Sequence, residues 1–235
     1  MLTTELEDLI QPTSFLDHQS PEVREFVGKA LAKKGIGGDA SAREKAVALY
    51  YAVRDDVLYE VYDIDLSPEG LRASTIARNG QGFCLHKSIL YAAAVRSAGV
   101  PSRIVLADVR NHLASDRLKA LIGGEVFFHA LNSVYLDGRW VKATPVFNKL
   151  LCRLYGMPTL EFEGTEDSVY HPYGDGSAEM EFLTAHGEFD DVPYEFVMAS
   201  MRARHPDFLH GSTTASGGSL AAEASHSQNV GTHHD

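Results

Sequence analysis

Cysteine is scarce in this sequence. Only Cys84 and Cys152 occur among its 235 residues, which is too few for the disulfide framework of a small secreted domain. The first ten residues lack both the basic stretch and the unbroken apolar stretch of a secretory signal. These two absences predict a cytoplasmic location, where the reducing medium keeps a thiol free.

Long apolar runs and an excess of positive charge are also missing. No run approaches the roughly 18 apolar residues that span a bilayer, and 32 acidic against 21 basic residues give a net charge of −11. An acidic surface is a poor match for nucleic acid or for an anionic membrane. We therefore expect neither partner, although the charge identifies no substrate and no oligomeric state.

Ligand patterns for metals and cofactors are absent as well. None of the eleven histidines belongs to a zinc-type pair with a second pair at a suitable interval. The glycine-rich residues 35–38 follow a predicted helix rather than a strand, so they match neither a phosphate-binding loop nor a dinucleotide fingerprint. The sequence predicts no metal and no cofactor.

Helix signals are clear in the first hundred residues. Ser-Pro-Glu at 20–22 begins one helix, and a capping box at 41–44 begins a second. A third helix is predicted from 84 to 98, where Gly99 follows in the position that ends helices. Short strands are expected at 58–62 and 104–107.

A β-hairpin is predicted further along the chain. Asp137-Gly138 is the two-residue sequence that a type I′ turn requires, so Phe127–Leu136 should pair with Arg139–Ala143. Leu136 then pairs with Arg139, and the numbers of paired residues sum to 275. Helices come first and strands surround a central helix, an order that predicts an α+β fold.

We expect one domain over residues 1–210 followed by a disordered tail. Its parts are a helical region at 1–55, a catalytic core at about 70–148, and an irregular C-terminal extension at 149–210 with a helix near 194–204. The tail at 211–235 is rich in Ser, Gly, Ala and His and has almost no large apolar residues.

Cys84 and His129 are the candidate catalytic pair. The N–H groups and positive dipole end at a helix start favour thiolate over thiol, and a nearby imidazole can accept the proton. Cys84 starts the third helix and His129 lies in the first hairpin strand. This pairing predicts thiol-based acyl transfer.

Two residues are candidates for orienting the imidazole. In the predicted register Thr144 and Asn148 are diagonal neighbours of His129 on one face, roughly 7–8 Å away between Cα atoms. Thr144 is the firmer geometric choice, because Pro145 donates no backbone hydrogen bond and is expected to end the ladder. Asn148 suits the chemistry better, since its amide oxygen accepts from an imidazole N–H.

Three separated blocks resemble the transglutaminase-like superfamily. They are Gly82-Phe83-Cys84, the segment Arg96-Ser-Ala-Gly-Val-Pro-Ser-Arg103, and His129-Ala-Leu-Asn-Ser-Val-Tyr-Leu-Asp-Gly-Arg-Trp140. The resemblance covers roughly residues 70–148. It implies a papain-like α+β core in which a central helix packs on an antiparallel sheet, and it implies a Cys-His-Asp triad.

The resemblance assigns roles and also shows one departure. Cys84 matches the nucleophile and His129 the base, but Thr144 occupies the aspartate position four residues after Trp140. Papain-like enzymes work with a neutral asparagine as third member, and Asn148 is our candidate for that part. Segments 107–112 and 142–145 resemble a bacterial branch of the superfamily whose substrates the sequence does not name.

Three further residues are candidate oxyanion or substrate contacts. Gln81 precedes Cys84 by three residues and could donate to an oxyanion beside the Cys84 backbone N–H. Asp108 and Arg110 follow an apolar strand, where substrate groups often bind. The pattern is equally consistent with two alternatives. Gln81 could be a loop residue without a catalytic role, and Asp108 and Arg110 could form an internal ion pair.

The sequence thus predicts a cysteine-dependent amidase, peptidase or acyl transferase acting on a peptide, protein or small amide. The alternative is a catalytically inactive transglutaminase-like binding module, which Thr144 favours. Exposure of the thiol should separate the two. An open groove lined by Asp108, Arg110 and aromatic residues favours the enzyme, whereas a buried Cys84 with no cleft beside His129 favours the binding module.

Overall fold

The computed structural model describes residues 3–62, 64–110, 124–169, 181–206 and 219–220. Within these residues the helices are α1 Thr4–Asp8, α2 Pro21–Lys33, α3 Ala42–Asp56, α4 Ala73–Asn79, α5 Cys84–Ser97, α6 Lys149–Leu154 and α7 Tyr194–Arg204. The strands are β1 Leu58–Tyr59, β2 Gln81–Gly82, β3 Ser102–Arg110, β4 Val126–Leu136, β5 Arg139–Ala143 and β6 Glu181–Phe189.

The predicted N-terminal helices form with the predicted caps. The Ser20 hydroxyl accepts from the Val23 N–H at the start of α2. At the start of α3, Ser41 and Glu44 make both hydrogen bonds of a capping box. Each cap satisfies N–H groups that have no partner within the helix, and is worth about 1 kcal/mol.

Helix α5 is the buried centre of the fold, and every residue from Cys84 to Arg96 in it is buried. Asn132 of β4 donates its amide to the Ser88 carbonyl at 2.9 Å, which ties this helix to the sheet. The α+β core with a central helix on an antiparallel sheet, expected from the sequence, is confirmed.

The main sheet is antiparallel with strand order β5-β4-β3-β6. Asp137 and Gly138 both have positive φ angles, 48° and 86°, as a type I′ turn requires. Leu136 pairs with Arg139 and Asn132 pairs with Ala143, so the register derived from the turn is confirmed over the whole β4–β5 ladder.

The expectation of irregular structure at 149–210 is wrong in part. Residues 181–189 form β6, which pairs with β3 and is broken by register shifts beside Ala107 and Asp108. Most β6 side chains are exposed, so the strand lacks a strong apolar alternation and depends on its neighbour for pairing. Helix α7 is confirmed, and α6 was not predicted.

The expected strand at 58–62 is shorter than predicted. Only Leu58 and Tyr59 are extended, and they pair in parallel with Gln81 and Gly82 of β2. The Glu60 N–H donates to the Gly82 carbonyl at 3.2 Å. This small ladder sets Tyr59 beside the residues that lead into Cys84.

One residue of the predicted disordered tail is packed. Leu220 is buried in the main core, its N–H donates to the Glu60 carboxylate, and its carbonyl accepts from the Tyr155 hydroxyl. A single leucine in a segment of mostly Ser, Gly, Ala and His gives no local signal of such packing. The rest of 211–235, apart from Ser219, lies outside the described residues.

Two buried cations connect the helices to their surroundings. Arg96 donates to the Ser102 hydroxyl and carbonyl and to the carbonyls of Gln11 and Asp190, and burial lowers its pKa to about 10. Lys87 donates to the Arg54 carbonyl at 2.9 Å and to the Val57 carbonyl at 2.5 Å. Lys87 thereby neutralises the C-terminal end of α3, while burial lowers its pKa to about 7.

Candidate active site

Cys84 is the first residue of α5, and the chain enters it through Gly82. This glycine has a φ of 156°, and a Cβ there would lie 2.5 Å from the Cβ of His86. His86 is buried, with Nε2 3.0 Å from the Asp65 carbonyl oxygen. The Gly-x-Cys pattern therefore follows from the close approach of this histidine to the backbone.

The Cys84 thiol is buried against the backbone of β4. The residue is 4% exposed, and its Sγ lies 3.8 Å from the Phe128 carbonyl oxygen, to which it donates. Burial raises the pKa of Cys84 to about 12, although the N–H groups of Ala130, Leu85 and Cys84 itself lower it. The thiolate expected at this helix start is therefore not favoured in this conformation, because desolvation outweighs the N–H groups.

Pro145 explains why the ladder between β4 and β5 stops before it reaches Cys84. The ladder between β4 and β5 ends at the pair Asn132–Ala143. The next residue along the chain whose backbone would bond to β4 is Pro145, which has no N–H to donate. Beyond that pair, the polar backbone groups of Phe128 and Ala130 are directed at Cys84. At this point the Cys84 thiol, rather than a residue of β5, contacts the backbone of β4.

His129 lies between those two backbone contacts. It pairs with Ala107 of β3 and is 4% exposed, and its ring meets Phe182 edge-on with centroids 6.1 Å apart. The Cys84 sulfur thus contacts the peptide groups on both sides of His129. The Cys84 sulfur and the backbone around His129 thus meet at one segment of β4, while the catalytic roles of the two residues stay predictions.

The two orienting candidates lie past the end of β5. Thr144 is buried, its carbonyl accepts from the Tyr50 hydroxyl at 3.1 Å, and its Oγ1 has no partner among the described residues. The amide oxygen of Asn148 accepts from the Tyr59 N–H at 3.2 Å. Their roles toward His129 stay predictions, and the contact seen for Asn148 holds β1 in place.

Tyr59 is a neighbour of the thiol that the sequence did not indicate. Its ring packs edge-on against Phe147 with centroids 4.8 Å apart. Burial raises the pKa of the phenol well above its ordinary value, and the nearby Cys84 raises it further. The paired strands β1 and β2 place it there, which only the tertiary structure reveals.

His205 is the second missed neighbour, and it comes from the far end of the chain. Its Nε2 accepts from the Phe128 N–H at 3.1 Å, and the residue is 3% exposed. Phe128 therefore contacts Cys84 through its carbonyl and His205 through its N–H. No sequence signal links residues separated by 77 positions.

The remaining candidates lie at the ends of β2 and β3. Gln81 is exposed. Asp108 is buried and paired with Arg204 of α7 at 2.9 Å and with His186 of β6 at 3.0 Å. Arg110 forms an exposed ion pair with Glu181 of β6 at 2.5 Å.

These ion pairs bear on the sequence alternatives. The Asp–Arg pair considered for this cluster exists, but Asp108 finds its arginine on α7 rather than two residues along β3. It therefore fixes the C-terminal helix to the sheet, while the roles of Gln81, Asp108 and Arg110 toward substrate stay predictions.

A model of the transglutaminase-like superfamily matches residues 29–145. Residues 29–145 form a transglutaminase-like core. The resemblance inferred from the three sequence blocks is thereby confirmed. This core contains Cys84, His129 and Thr144, whereas Asn148 and His205 lie outside the matched range. Among curated proteins no relative matches the sequence.

Solved structures similar to this chain carry transglutaminase and protease names. A candidate cysteine protease from Cytophaga hutchinsonii is 16% identical with a TM-score of 0.47, and 61% of this chain covers 43% of that one. A candidate protease from Parabacteroides distasonis is 18% identical with a TM-score of 0.36, covering 56% and 25% of the two chains. A protein named TGase is 16% identical with a TM-score of 0.35, covering 63% and 34%. The chain spans less than half the length of each of these proteins.

Among the described residues, no helix has the length and apolar character needed to cross a membrane.

Proposed function

We propose that this protein is a cysteine-dependent enzyme that hydrolyses or transfers acyl groups, with Cys84 as nucleophile and His129 as base. The observation that supports it is the position of the Cys84 sulfur against the peptide groups on both sides of His129. The range matched by the transglutaminase-like model, residues 29–145, contains both residues. Thr144 or Asn148 would orient the imidazole.

In this proposal the Cys84 sulfur attacks the carbonyl carbon of an amide while His129 accepts the thiol proton. The carbonyl oxygen becomes an oxyanion that the Cys84 N–H and Gln81 would bind. His129 then protonates the leaving amine as the C–N bond breaks. Water or a second amine finally takes the acyl group from sulfur, which returns the thiol.

The structure represents a closed resting form in this proposal. At 4% exposure the thiol does not meet an acyl group, and a pKa of about 12 keeps it protonated. Opening of the site removes the cause of that raised pKa, namely burial. The N–H groups of Cys84, Leu85 and Ala130 remain and favour the thiolate.

The proposal is tested by alkylating Cys84 with iodoacetamide in the wild type and in His129→Ala. Loss of the base should slow alkylation of Cys84 at pH 7.5 by about 10²-fold, the low end for a general base. Cys152 is an internal control, because it is equally buried and donates to the Phe147 carbonyl at 3.7 Å. Its alkylation rate, followed by mass spectrometry in the same sample, should not change.

An alkylation rate of Cys84 that is equal or faster in His129→Ala contradicts the proposal. That result supports the second candidate, a catalytically inactive binding module. Two observations favour this candidate: the buried thiol with its raised pKa, and Thr144 in place of a carboxylate. If the protein is a binding module, Cys84→Ala should leave ligand binding intact.

The substrate in this proposal is a peptide, a protein or a small amide. Arg110, exposed at the end of β3, is the proposed contact to substrate, and Asp108 would act by holding Arg204 near the site. A cytoplasmic location fits two cysteines that are both free and buried, since a reducing medium preserves thiols.

A further inference from the structure

Among the residues that the structure describes, the edge of β4 beside Cys84 is contacted by side chains and by no neighbouring strand. The Phe128 N–H donates to His205 and the Phe128 carbonyl accepts from Cys84. An open strand edge with alternating N–H and C=O groups is a template on which an extended peptide adds as a further strand. Here two side chains from distant parts of the chain occupy that template.

His205 is the part of this cover that can yield. The hydrogen bonds of the sulfur itself are with backbone groups of β4 and α5, which are tied to each other through Asn132 and Ser88. His205 instead follows the last residue of α7 and lies outside the transglutaminase-like core. An acyl group that reaches the buried sulfur must displace some contact, and His205 is the contact contributed from outside the transglutaminase-like core.

We propose that the β4 edge at Phe128 is the docking site for the backbone of an extended acyl-donor peptide, and that His205 occupies it in the resting protein. The imidazole nitrogen accepts the Phe128 N–H where a carbonyl oxygen of the substrate would accept it. This inference rests on the proposed function and narrows its substrate to a peptide or protein segment rather than a small amide.

The distances favour a peptide because the two contacts belong to one residue. The Phe128 carbonyl accepts from the Cys84 thiol, and the Phe128 N–H donates to His205. An acyl carbon at the sulfur therefore lies about one residue step, ~3.3 Å along a strand, from the atom that accepts the Phe128 N–H. A peptide has a second carbonyl to place there. A small amide has only one carbonyl, which the reaction uses, and gains nothing by displacing His205.

The test uses two probes that alkylate thiols, a dipeptidyl vinyl sulfone and its analogue in which CH₂ replaces the carbonyl nearest the reactive group. Both are applied to the full chain as wild type, His205→Ala and His205→Gln. In His205→Ala the intact probe should label Cys84 about three- to tenfold faster than the analogue, the gain of one hydrogen bond.

The three proteins should also differ with the intact probe alone. His205→Ala should react faster than the wild type, because no imidazole competes for the Phe128 N–H. Glutamine keeps an acceptor oxygen, so His205→Gln should stay near the wild-type rate. Equal labelling by both probes in His205→Ala overturns the docking site.

A second readout does not need a folded His205→Ala. With ¹⁵N-phenylalanine labelling, the Phe128 amide should stay protected from hydrogen exchange in the adduct with the intact probe and lose protection in the adduct with the analogue. The resonance is assigned with Phe128→Leu. A Phe128 amide with the same protection in both adducts overturns the inference.

His18→Ala is the matched control, since His18 is a half-buried histidine whose Nε2 lies 3.0 Å from the Ile10 carbonyl oxygen. It should leave both labelling rates unchanged. Failure of both probes to label Cys84 in every variant refutes the proposed function together with this inference. His129-dependent labelling without preference for the intact probe refutes this inference alone.

Discussion

Burial makes Cys84 an unusually unreactive thiol in the resting protein, and the size of the effect follows from its pKa. With a pKa of about 12, about 3 × 10⁻⁵ of the thiol is ionised at pH 7.5, against about 0.1 for a free cysteine of pKa about 8.5. Because only the thiolate attacks iodoacetamide, Cys84 in His129→Ala, where no imidazole accepts the thiol proton, should react about 3,000-fold more slowly than a cysteine-containing peptide.

The pH profile gives the sharper form of this prediction. In His129→Ala, where no imidazole accepts the thiol proton, alkylation of Cys84 should rise about tenfold for each pH unit from 7 to 10 without levelling off, whereas the peptide levels off above about 8.5. Rates are read by mass spectrometry of the Cys84 peptide after quenching. A His129→Ala profile that levels off below pH 9 refutes the reasoning, because desolvation would then not control this thiol.

Unfolding should restore the alkylation rate of Cys84, because it exposes the sulfur to water and reagent. In urea above the unfolding transition, Cys84 and Cys152 should react alike and at the rate of the peptide. A persistent difference between them in urea points to local sequence rather than to burial as the cause.

Three further predictions concern residues around the site. Gly82→Ala should destabilise the fold by about 1–3 kcal/mol in urea unfolding, since the new Cβ meets His86, whereas Gly28→Ala, with open space at its Cβ, should be neutral or stabilising. Thr144→Val should leave the melting temperature unchanged or raised, because the hydroxyl it removes has no partner among the described residues; a fall of several degrees would reveal a hydrogen bond there. For Lys87, a folded-state pKa of about 7 below the ordinary 10.5 means that the unfolded chain binds more protons, so stability should rise between pH 7 and pH 10.5. Lys87→Met should lose that rise, and parallel pH profiles of the two proteins contradict the assignment.

Local signals sufficed for the helices and for the central hairpin. Caps and stop signals are read within four residues, and Asp137-Gly138 alone determined the register of the hairpin from Leu136–Arg139 to Asn132–Ala143. The family blocks coincide with structural necessities: Gly82 has no room for a side chain beside His86, and Arg96 is a buried donor.

The surroundings of the thiol could not be predicted because they are assembled from distant segments. Tyr59, Asn148 and His205 reach the site through strand pairing and helix docking, none of which leaves a local pattern. Strand β6 was also missed, because it depends on pairing with the distant β3. Register shifts interrupt that pairing.

The thiol pKa was misjudged because one effect was visible in the sequence and the other was not. A helix N-terminus favours an anion by about 0.3–1 kcal/mol, and this much can be read from the position of Cys84. The rise from 9.0 to about 12 corresponds to about 4 kcal/mol. Desolvation therefore decides the outcome, and desolvation is set by the segments that cover the sulfur.

The order in which the chain leaves the ribosome gives the cover at His205 a consequence during synthesis. About 60 residues separate Pro145 from His205, which takes about 3–12 s at 5–20 residues per second. During that interval Cys84 and β4 are complete, but the imidazole that binds the Phe128 N–H has not been made. Until residue 205 has been synthesised, the Phe128 N–H beside Cys84 therefore lacks the histidine that covers it in the folded protein.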